Sequence, residues 1–500
     1  MQKFFIDQHG CAKNQVDGEL LSAHLSKSGE WEQTFFAEEA DLIVVNSCGF
    51  IESAKEESIN AVISARNRFP RAKILLAGCL AERYADDLRD SLLEADGFFG
   101  NGDLSSIYKV LPPLLSGERP VVRPLQKGVC GGERNMLLSF AGSAFVKITE
   151  GCNNRCSFCA IPIIRGELRS RKASEIIDEI RSLVEKGVFE INLIGQDLAA
   201  FGTGRNDDVF GNGREHLPTG TPGSDERENQ TAQETESALC RLLKEISKIQ
   251  GEFSVRLLYI HPDHFNPDIL PAIKADARIL PYFDIPFQSG DDKIIRAMNR
   301  TGSAQKYVDI IEKIRSFFPS AAIRTTFLAG FPGEDEKSAK NTLDFLKKIR
   351  PDWSGCFPYS REEDTPAYSF QNRVAKKTAT ARASLISSVQ EEITRASLLA
   401  RVNVEYDVLI EEVLEKNDES PFEGIAIGRA WFQAPEVDGS VVVSFDRTDK
   451  NALLAVKSGR LVRVFVSSAG SVDLYGEFVS DSPKNQNIKN KSLLFAQDVF

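Results

Sequence analysis

The sequence predicts an α/β protein built in three units: an N-terminal open parallel sheet, a central partial (β/α)6 barrel and a C-terminal all-β unit. Three observations carry this. The chain has 500 residues, too many for one ordinary core at roughly 150 residues per domain. Apolar runs of strand length alternate with helix-like stretches as far as about residue 375, the pattern of parallel sheets with crossover helices. After a helical stretch over 375–400 the period changes to that of strands, over 404–412, 422–431, 439–445 and 461–467, with turns at Asn417-Asp418 and Asp438-Gly439.

Within residues 1–128, strands are predicted at 2–8, 41–47 and 72–78, followed by helices such as 52–69 and 81–93. Cys11 follows the first strand, Cys48 the second and Cys79 the third. In an open α/β sheet the carboxyl ends of the strands face one crevice, so these three thiols can converge although each is more than thirty residues from the next. A single cysteine at such a position is an ordinary core thiol; three at equivalent positions form a candidate ligand set. Residues 129–138 form a linker in which Cys130 is a bystander.

From 139 to about 375, strands are predicted at 144–149, 189–194, 254–260, 282–287, 322–328 and 355–359, with helices between them such as 175–186, 237–249 and 337–349. Chemistry in such a barrel sits at the C-terminal strand ends. Directly after the first strand comes GCNNRCSFCAIPIIRGELRSR, in which Cys152, Cys156 and Cys159 are spaced C-x3-C-x2-C. Three thiolates hold three irons of a four-iron cluster and leave the fourth open, as an open coordination position distinguishes a catalytic metal from a structural one. A zinc site or three core cysteines on one helix would use the same residue type. Against these, Gly151, Asn153, Asn154 and Arg155 make a poor apolar face and no fourth zinc ligand is close by. Arg165, Arg169 and Arg171 follow, suited to a carboxylate or to solvent. His261 and His264 flank Pro262 and Asp263 in a loop, as turn formers or as catalytic groups.

Residues 203–234 hold few apolar residues amid Gly, Asn, Asp, Glu and Thr and read as a disordered insertion. Residues 481–500 read as a polar tail. The apolar content of 42%, no run of eighteen apolar residues and an N-terminus without secretory features predict a cytosolic protein free of the membrane. Nine cysteines in such a chain are ligands or buried thiols rather than disulfides. The net charge of -11 disfavours a nucleic-acid coat.

The C-x3-C-x2-C element resembles the radical S-adenosylmethionine (SAM) signature, in which the open iron binds SAM and an electron from the cluster starts its cleavage. The stretches HGCAKNQVDGELL, VVNSCGFIESAKEES and LLAGCLAERY around Cys11, Cys48 and Cys79 are similar to the N-terminal domain of the methylthiotransferases. This resemblance covers nearly the whole chain outside the insertion and the tail. It implies two 4Fe-4S clusters, one on Cys152, Cys156 and Cys159, the other an auxiliary cluster on Cys11, Cys48 and Cys79. It also implies SAM contacts at the barrel's strand ends, carried to Gln196, Gln288, Arg324 and Gly330, an electron donor such as flavodoxin or ferredoxin, and a C-terminal TRAM domain, a small antiparallel β-barrel. The domains expected are then 1–128 with the auxiliary cluster, 139–400 for the radical SAM unit, and 401–480 for TRAM.

Two features choose among substrates. From 402 to 480 there are 14 acidic against 7 basic residues, which suits a basic protein and not tRNA phosphate. GRAWFQAPEVDGSVVV, CAKNQVDGE and AIPIIRGELRSR resemble the branch of the family that modifies an aspartate of small-subunit ribosomal protein twelve, more than the branch that modifies tRNA adenosine. That resemblance implies methylthiolation of an aspartate β-carbon with two SAM per turnover. The alternatives are a tRNA methylthiotransferase and a non-catalytic iron-sulfur redox sensor.

Overall fold

The computed structural model describes residues 1–211, 236–415, 422–487 and 494–495. The first unit is a six-stranded, all-parallel sheet of β1 (Gln2–Gln8), β2 (Trp31–Gln33), β3 (Leu42–Ser47), β4 (Lys73–Gly78), β5 (Gly97–Phe99) and β6 (Val121–Val122), in the order β2-β1-β3-β4-β5-β6. The central strands β3 and β4 are almost wholly buried, which is why they read as continuous apolar runs rather than alternating ones. The three outer strands have only two or three residues, too short to leave a periodic signal. Because β1, β3 and β4 are neighbours, the segments that carry Cys11, Cys48 and Cys79 leave the sheet side by side.

Residues 129–138 are more than a connection. Arg134 is 2% exposed, and β7 (Met136–Leu137) pairs in parallel with a two-residue strand at Leu494–Phe495. The stretch read as a polar tail therefore returns to the junction between the first two units; 488–493 and 496–500 lie outside the described residues.

The central sheet is parallel and six-stranded: β8 (Ser143–Lys147), then, after the short β9 (Thr149–Glu150) and β10 (Arg169–Ser170), β11 (Glu190–Ile194), β12 (Ser254–Leu257), β13 (Ile279–Asp284), β14 (Ala322–Ala329) and β15 (Trp353–Pro358), in sequential order from β8 to β15. All six predicted strands exist. The third stops at Leu257, three residues early, and the fourth starts at Ile279, three early, where the β12–β13 register shifts between Val255 and Leu257. Tyr259, just beyond, has φ +70°, a left-handed conformation that ends a strand. Of the predicted insertion, 203–211 is packed: Val209 is buried and its carbonyl accepts the Ala173 N–H at 2.7 Å. The remainder, 212–234, lies outside the described residues.

The helix Lys376–Leu399 lies against β15 and leads to a closed five-stranded barrel of β16 (Val404–Val413), β17 (Glu423–Arg429), β18 (Val441–Asp446), β19 (Leu461–Ala469) and β20 (Leu474–Asp481), ordered β16-β17-β18-β20-β19. β20 was not among the predicted strands: LYGEFVSD carries a glycine and polar residues and is half-exposed. This barrel is locked to the central sheet through polar contacts. Glu190 receives both Arg256 (2.8 Å) of the central sheet and Arg429 (2.7 Å) of the small barrel, Trp353 Nε1 donates to the Phe432 carbonyl at 2.7 Å, and Tyr282 donates to Asp438 at 2.6 Å. Burial alone would raise the Glu190 carboxyl, but Arg429 and Arg256 outweigh it and hold it well below the usual carboxylate range. Among the described residues no helix is long and apolar enough to cross a membrane.

Candidate active site

The loop with Cys152, Cys156 and Cys159 is an excursion between β9 and β10, which pair antiparallel and close its base. Gly151 has φ +71°, and a Cβ there would stand 2.1 Å from the Glu167 carbonyl oxygen, so the strand exit demands glycine. Hydrogen bonds fix the loop at intervals: Cys152 N–H to the Gly166 carbonyl (3.1 Å), Asn154 Nδ2 to Asp197 (3.0 Å), Ser157 N–H to the Met298 carbonyl (3.1 Å) and Cys159 N–H to the Cys156 carbonyl (3.0 Å). Asp197, in the turn after β11, also accepts the His261 and Ala199 N–H groups and pairs with His264 Nδ1 at 2.7 Å. His261 and His264 are thus both turn formers and part of the site. His261 Nδ1 accepts the Asp263 N–H, and its Nε2 lies 3.7 Å from the Cys156 sulfur. Burial lowers the His261 imidazole to about 3, so it is neutral.

The other three thiols converge from three strands. Asn14 Oδ1 lies 3.3 Å from Cys79 Sγ and 3.9 Å from Cys11 Sγ. The turns carrying Cys11 and Cys48 abut: a Cβ on Gly10 would be 3.0 Å from that of Cys48. Burial, then the neighbouring Cys79 and Cys11, push the Cys48 thiol up to about 12; burial does the same to Cys152. All nine cysteines are free.

Both trios fit a multi-iron cluster better than a single ion. Tetrahedral zinc thiolates stand about 3.8 Å apart, from a Zn–S bond of about 2.3 Å. Among the described residues the only metal-competent group whose ligand atoms all lie within 4.8 Å is Asp197, His261 and His264, whose atoms already bond one another and the loop. Buried thiols with raised pKa become thiolates when a cation supplies the compensating charge. Beside the loop, the Gln196 Oε1 and Thr149 Oγ1 atoms are buried and without hydrogen-bond partners, vacant positions for a polar cofactor.

Arg165 joins the two trios. It sits at the end of the helix Ile161–Arg165 following Cys159, and donates to Cys79 Sγ (3.2 Å), Asn14 (2.8 Å), Asp17 (2.9 Å) and Glu150 (2.7 Å). Lys147 of β8 bonds the same Asp17 and Glu150. Arg171 and Arg134 share Glu179, and Arg134 also reaches Glu19. Arg165 and Arg171 are therefore neither solvated nor open to a ligand: they are buried in ion pairs. Arg169 is spent on backbone carbonyls of residues 128, 165 and 167.

The four predicted SAM-contacting residues fall at different places. Gln196 is at the end of β11, donating to Glu150 at 3.4 Å. Gln288 has φ +68° and bridges to Phe327 beyond β13. Arg324 is low on β14, paired with Asp284 and Asp438 at 3.3 Å each. Gly330 has φ +79° and no room for a Cβ, which would stand 2.3 Å from that of Ala379. Lys13 and Tyr259 were not singled out by sequence: the Lys13 ammonium sits 2.9 Å from the Tyr259 ring centroid. The only signal was Lys13's place two residues after Cys11.

A parallel partial barrel with three thiols past its first strand and a polar shell around them defines a radical SAM enzyme. Descriptions of known families agree: residues 146–346 match the Radical SAM superfamily, 404–479 the TRAM domain and 3–100 an uncharacterized protein family, UPF0004. The chain is 51% identical to the ribosomal protein uS12 methylthiotransferase RimO of Treponema denticola, over 94% of its own length and 99% of the relative's. It is 35% identical to the RimO of Acetivibrio thermocellus, over 97% and 100%. The chain belongs to the RimO family of methylthiotransferases, sulfur-transferring radical SAM enzymes that use 4Fe-4S clusters and SAM. Among solved structures, the radical SAM methyltransferase TsrM of Kitasatospora setae shares the fold, with TM-score 0.50 at 12% identity, over 73% of this chain and 74% of that one.

Proposed function

We propose that this protein places a methylthio group on the β-carbon of an aspartate of ribosomal protein uS12, in the cytoplasm, with two SAM per turnover and electrons from a flavodoxin- or ferredoxin-like donor. The observation that carries the reading is the pair of thiol trios joined by one buried arginine, since a C–H beside a carboxylate has no leaving group and needs both hydrogen abstraction and a sulfur source. Cys152, Cys156 and Cys159 would hold one 4Fe-4S cluster and Cys11, Cys48 and Cys79 the other. When bound, such clusters supply one-electron reduction of SAM and a coordination position for sulfur.

The chain's own residues do the rest. Asn154, Asp197 and His264 hold the loop that presents one trio. Arg165 fixes the loop against the helix Ala12–Lys27, and so sets the separation of the trios. Gln196, with an unpartnered oxygen, is the best placed of the four predicted residues to contact SAM; Gln288 and Gly330 shape strand ends, and Arg324 holds Asp284 and Asp438. The units 1–128, 139–400 and 401–480 divide the work into sulfur-bearing, radical-forming and substrate-docking parts, the last carrying the acidic surplus that suits a basic ribosomal protein.

The test is anaerobic reconstitution, reduction and incubation with SAM and two substrates, a peptide spanning the uS12 target aspartate and unmodified tRNA, with mass spectrometry of both. One methylthio group gained on the peptide aspartate is the expected result. The same gain on tRNA adenosine would overturn the protein-substrate reading.

A further inference from the structure

We infer that Lys13 binds the side-chain carboxylate of the substrate aspartate, in the space between the two thiol trios; this rests on the aspartate reading above. Lys13 is 8% exposed, yet its ammonium makes no hydrogen bond or ion pair among the described residues. Among the described residues the comparably buried cations Lys147, Arg134, Arg165, Arg256 and Arg429 each face at least one carboxylate, and Arg300, which does not, donates to the Pro286 and Phe287 carbonyls. An ammonium so largely enclosed and left without an anion loses most of its hydration, and that loss is offset when an anion arrives.

The surroundings point the same way. The Lys13 ammonium lies 2.9 Å from the centroid of the Tyr259 ring, an attraction that orients the amine but leaves its protons unspent. Tyr259 itself has φ +70°, a strained conformation for an aromatic residue, held by its N–H bond to Asp284 at 3.2 Å. Strain of this kind persists where the surroundings enforce it and gathers at functional sites. Asp284 could have been Lys13's partner, but its carboxylate is engaged by that N–H and by Arg324.

Position completes the argument. Lys13 is two residues from Cys11, and Tyr259 two residues from His261, whose Nε2 is 3.7 Å from Cys156 Sγ. The amine therefore stands on the segment that carries Cys11 and against the segment that carries His261. The carbon to be modified is one bond from the carboxylate carbon, so anchoring that carboxylate on Lys13 holds the β-carbon between the two trios. The same anchor selects aspartate over asparagine, since an amide of equal shape gives the ammonium no charge to pair with.

The experiment uses the full-length, anaerobically reconstituted holoenzyme, wild type, Lys13→Met and Lys13→Arg, with uS12 peptides carrying aspartate or asparagine at the target position. Iron and sulfide content and the visible spectrum report cluster loading; calorimetry gives Kd for each peptide. Expected are full cluster loading in all three proteins, binding of the aspartate peptide weakened about tenfold or more by Lys13→Met, partial recovery in Lys13→Arg, and asparagine-peptide binding unmoved. Equal weakening of both peptides by Lys13→Met, or a wild type that binds both equally, would overturn the assignment. Loss of the N-terminal cluster in Lys13→Met would overturn it too, making Lys13 a counter-charge for that cluster. If the wild type methylthiolates the aspartate peptide and Lys13→Met does so with unchanged KM, only Lys13's role fails; if the wild type modifies tRNA instead, the substrate reading fails and takes this role with it.

Discussion

Cys152, Cys156 and Cys159 hang on a single excursion between two short paired strands, whereas Cys11, Cys48 and Cys79 each leave a different strand of a parallel sheet. The first trio is shaped by side-chain hydrogen bonds within reach of the loop: Asn154 to Asp197, and Asp197 to His261 and His264. The second is shaped by strand register, which places β1 beside β3 and β3 beside β4. A locally held set can be loosened by one polar substitution. A set held by topology resists such changes but depends on what presses against the C-terminal ends of the strands, here Arg165.

The largest expected effect separates the trios by chemistry. Cys152→Ala should abolish SAM cleavage, while Cys79→Ala should leave deoxyadenosine formation possible and stop methylthio transfer; retained methylthiolation in Cys79→Ala would break the distinction between them. Next comes the shared support. Arg165→Met leaves Asp17 and Glu150 to share the single Lys147 cation, and should cost about 3–5 kcal/mol in chemical denaturation, with loss of both clusters.

A smaller, one-sided effect is expected of Asn154→Ala. It removes a single bond to a buried carboxylate, at about 1–3 kcal/mol, and should lower iron at Cys152, Cys156 and Cys159 while the N-terminal cluster stays, as Mössbauer spectroscopy would register. The smallest concerns acid. Glu190 has its carboxyl held below the ordinary value of 4.5 by Arg429 and Arg256 after burial is overcome. Its contribution is fully present above pH 4.5 and is lost as pH falls through the depressed folded value. The stability gap between wild type and Glu190→Gln should therefore be constant from pH 7 to about 5 and narrow on further acidification, as denaturation midpoints would record.

Much of this was legible in the sequence because it is local. The C-x3-C-x2-C spacing is confined to eight residues, and β3 and β4 announce themselves as unbroken apolar runs. The convergence of Cys11, Cys48 and Cys79 was also readable, once the strands preceding them were placed in one parallel sheet. Arg165 was not: its partner Asp17 lies 148 residues away, and an arginine beside a cofactor motif looks the same whether it is solvated, bound to a ligand or sealed in an ion pair. Lys13 was hidden for a related reason, since being unpartnered is a property of the surroundings alone. β20 was missed because half of a small barrel's strand faces water, and the order of 203–211 because a few contacts, the buried Val209 and Asp207 accepting the Ser170 N–H among them, are enough to pin a polar stretch.

The two arginines meeting on Glu190 also bear on how such proteins can be recombined. Glu190 and Arg256 belong to the central unit and Arg429 to the C-terminal barrel, so the barrel is not an independent module that shuffling can exchange at will. A chimaera receiving a foreign C-terminal domain inherits a buried carboxylate with one cation too few unless the donor also brings an arginine at the place of Arg429. Inheritance of the C-terminal barrel is thus tied to Glu190, the first residue of β11, and the two units are expected to travel through evolution as one piece.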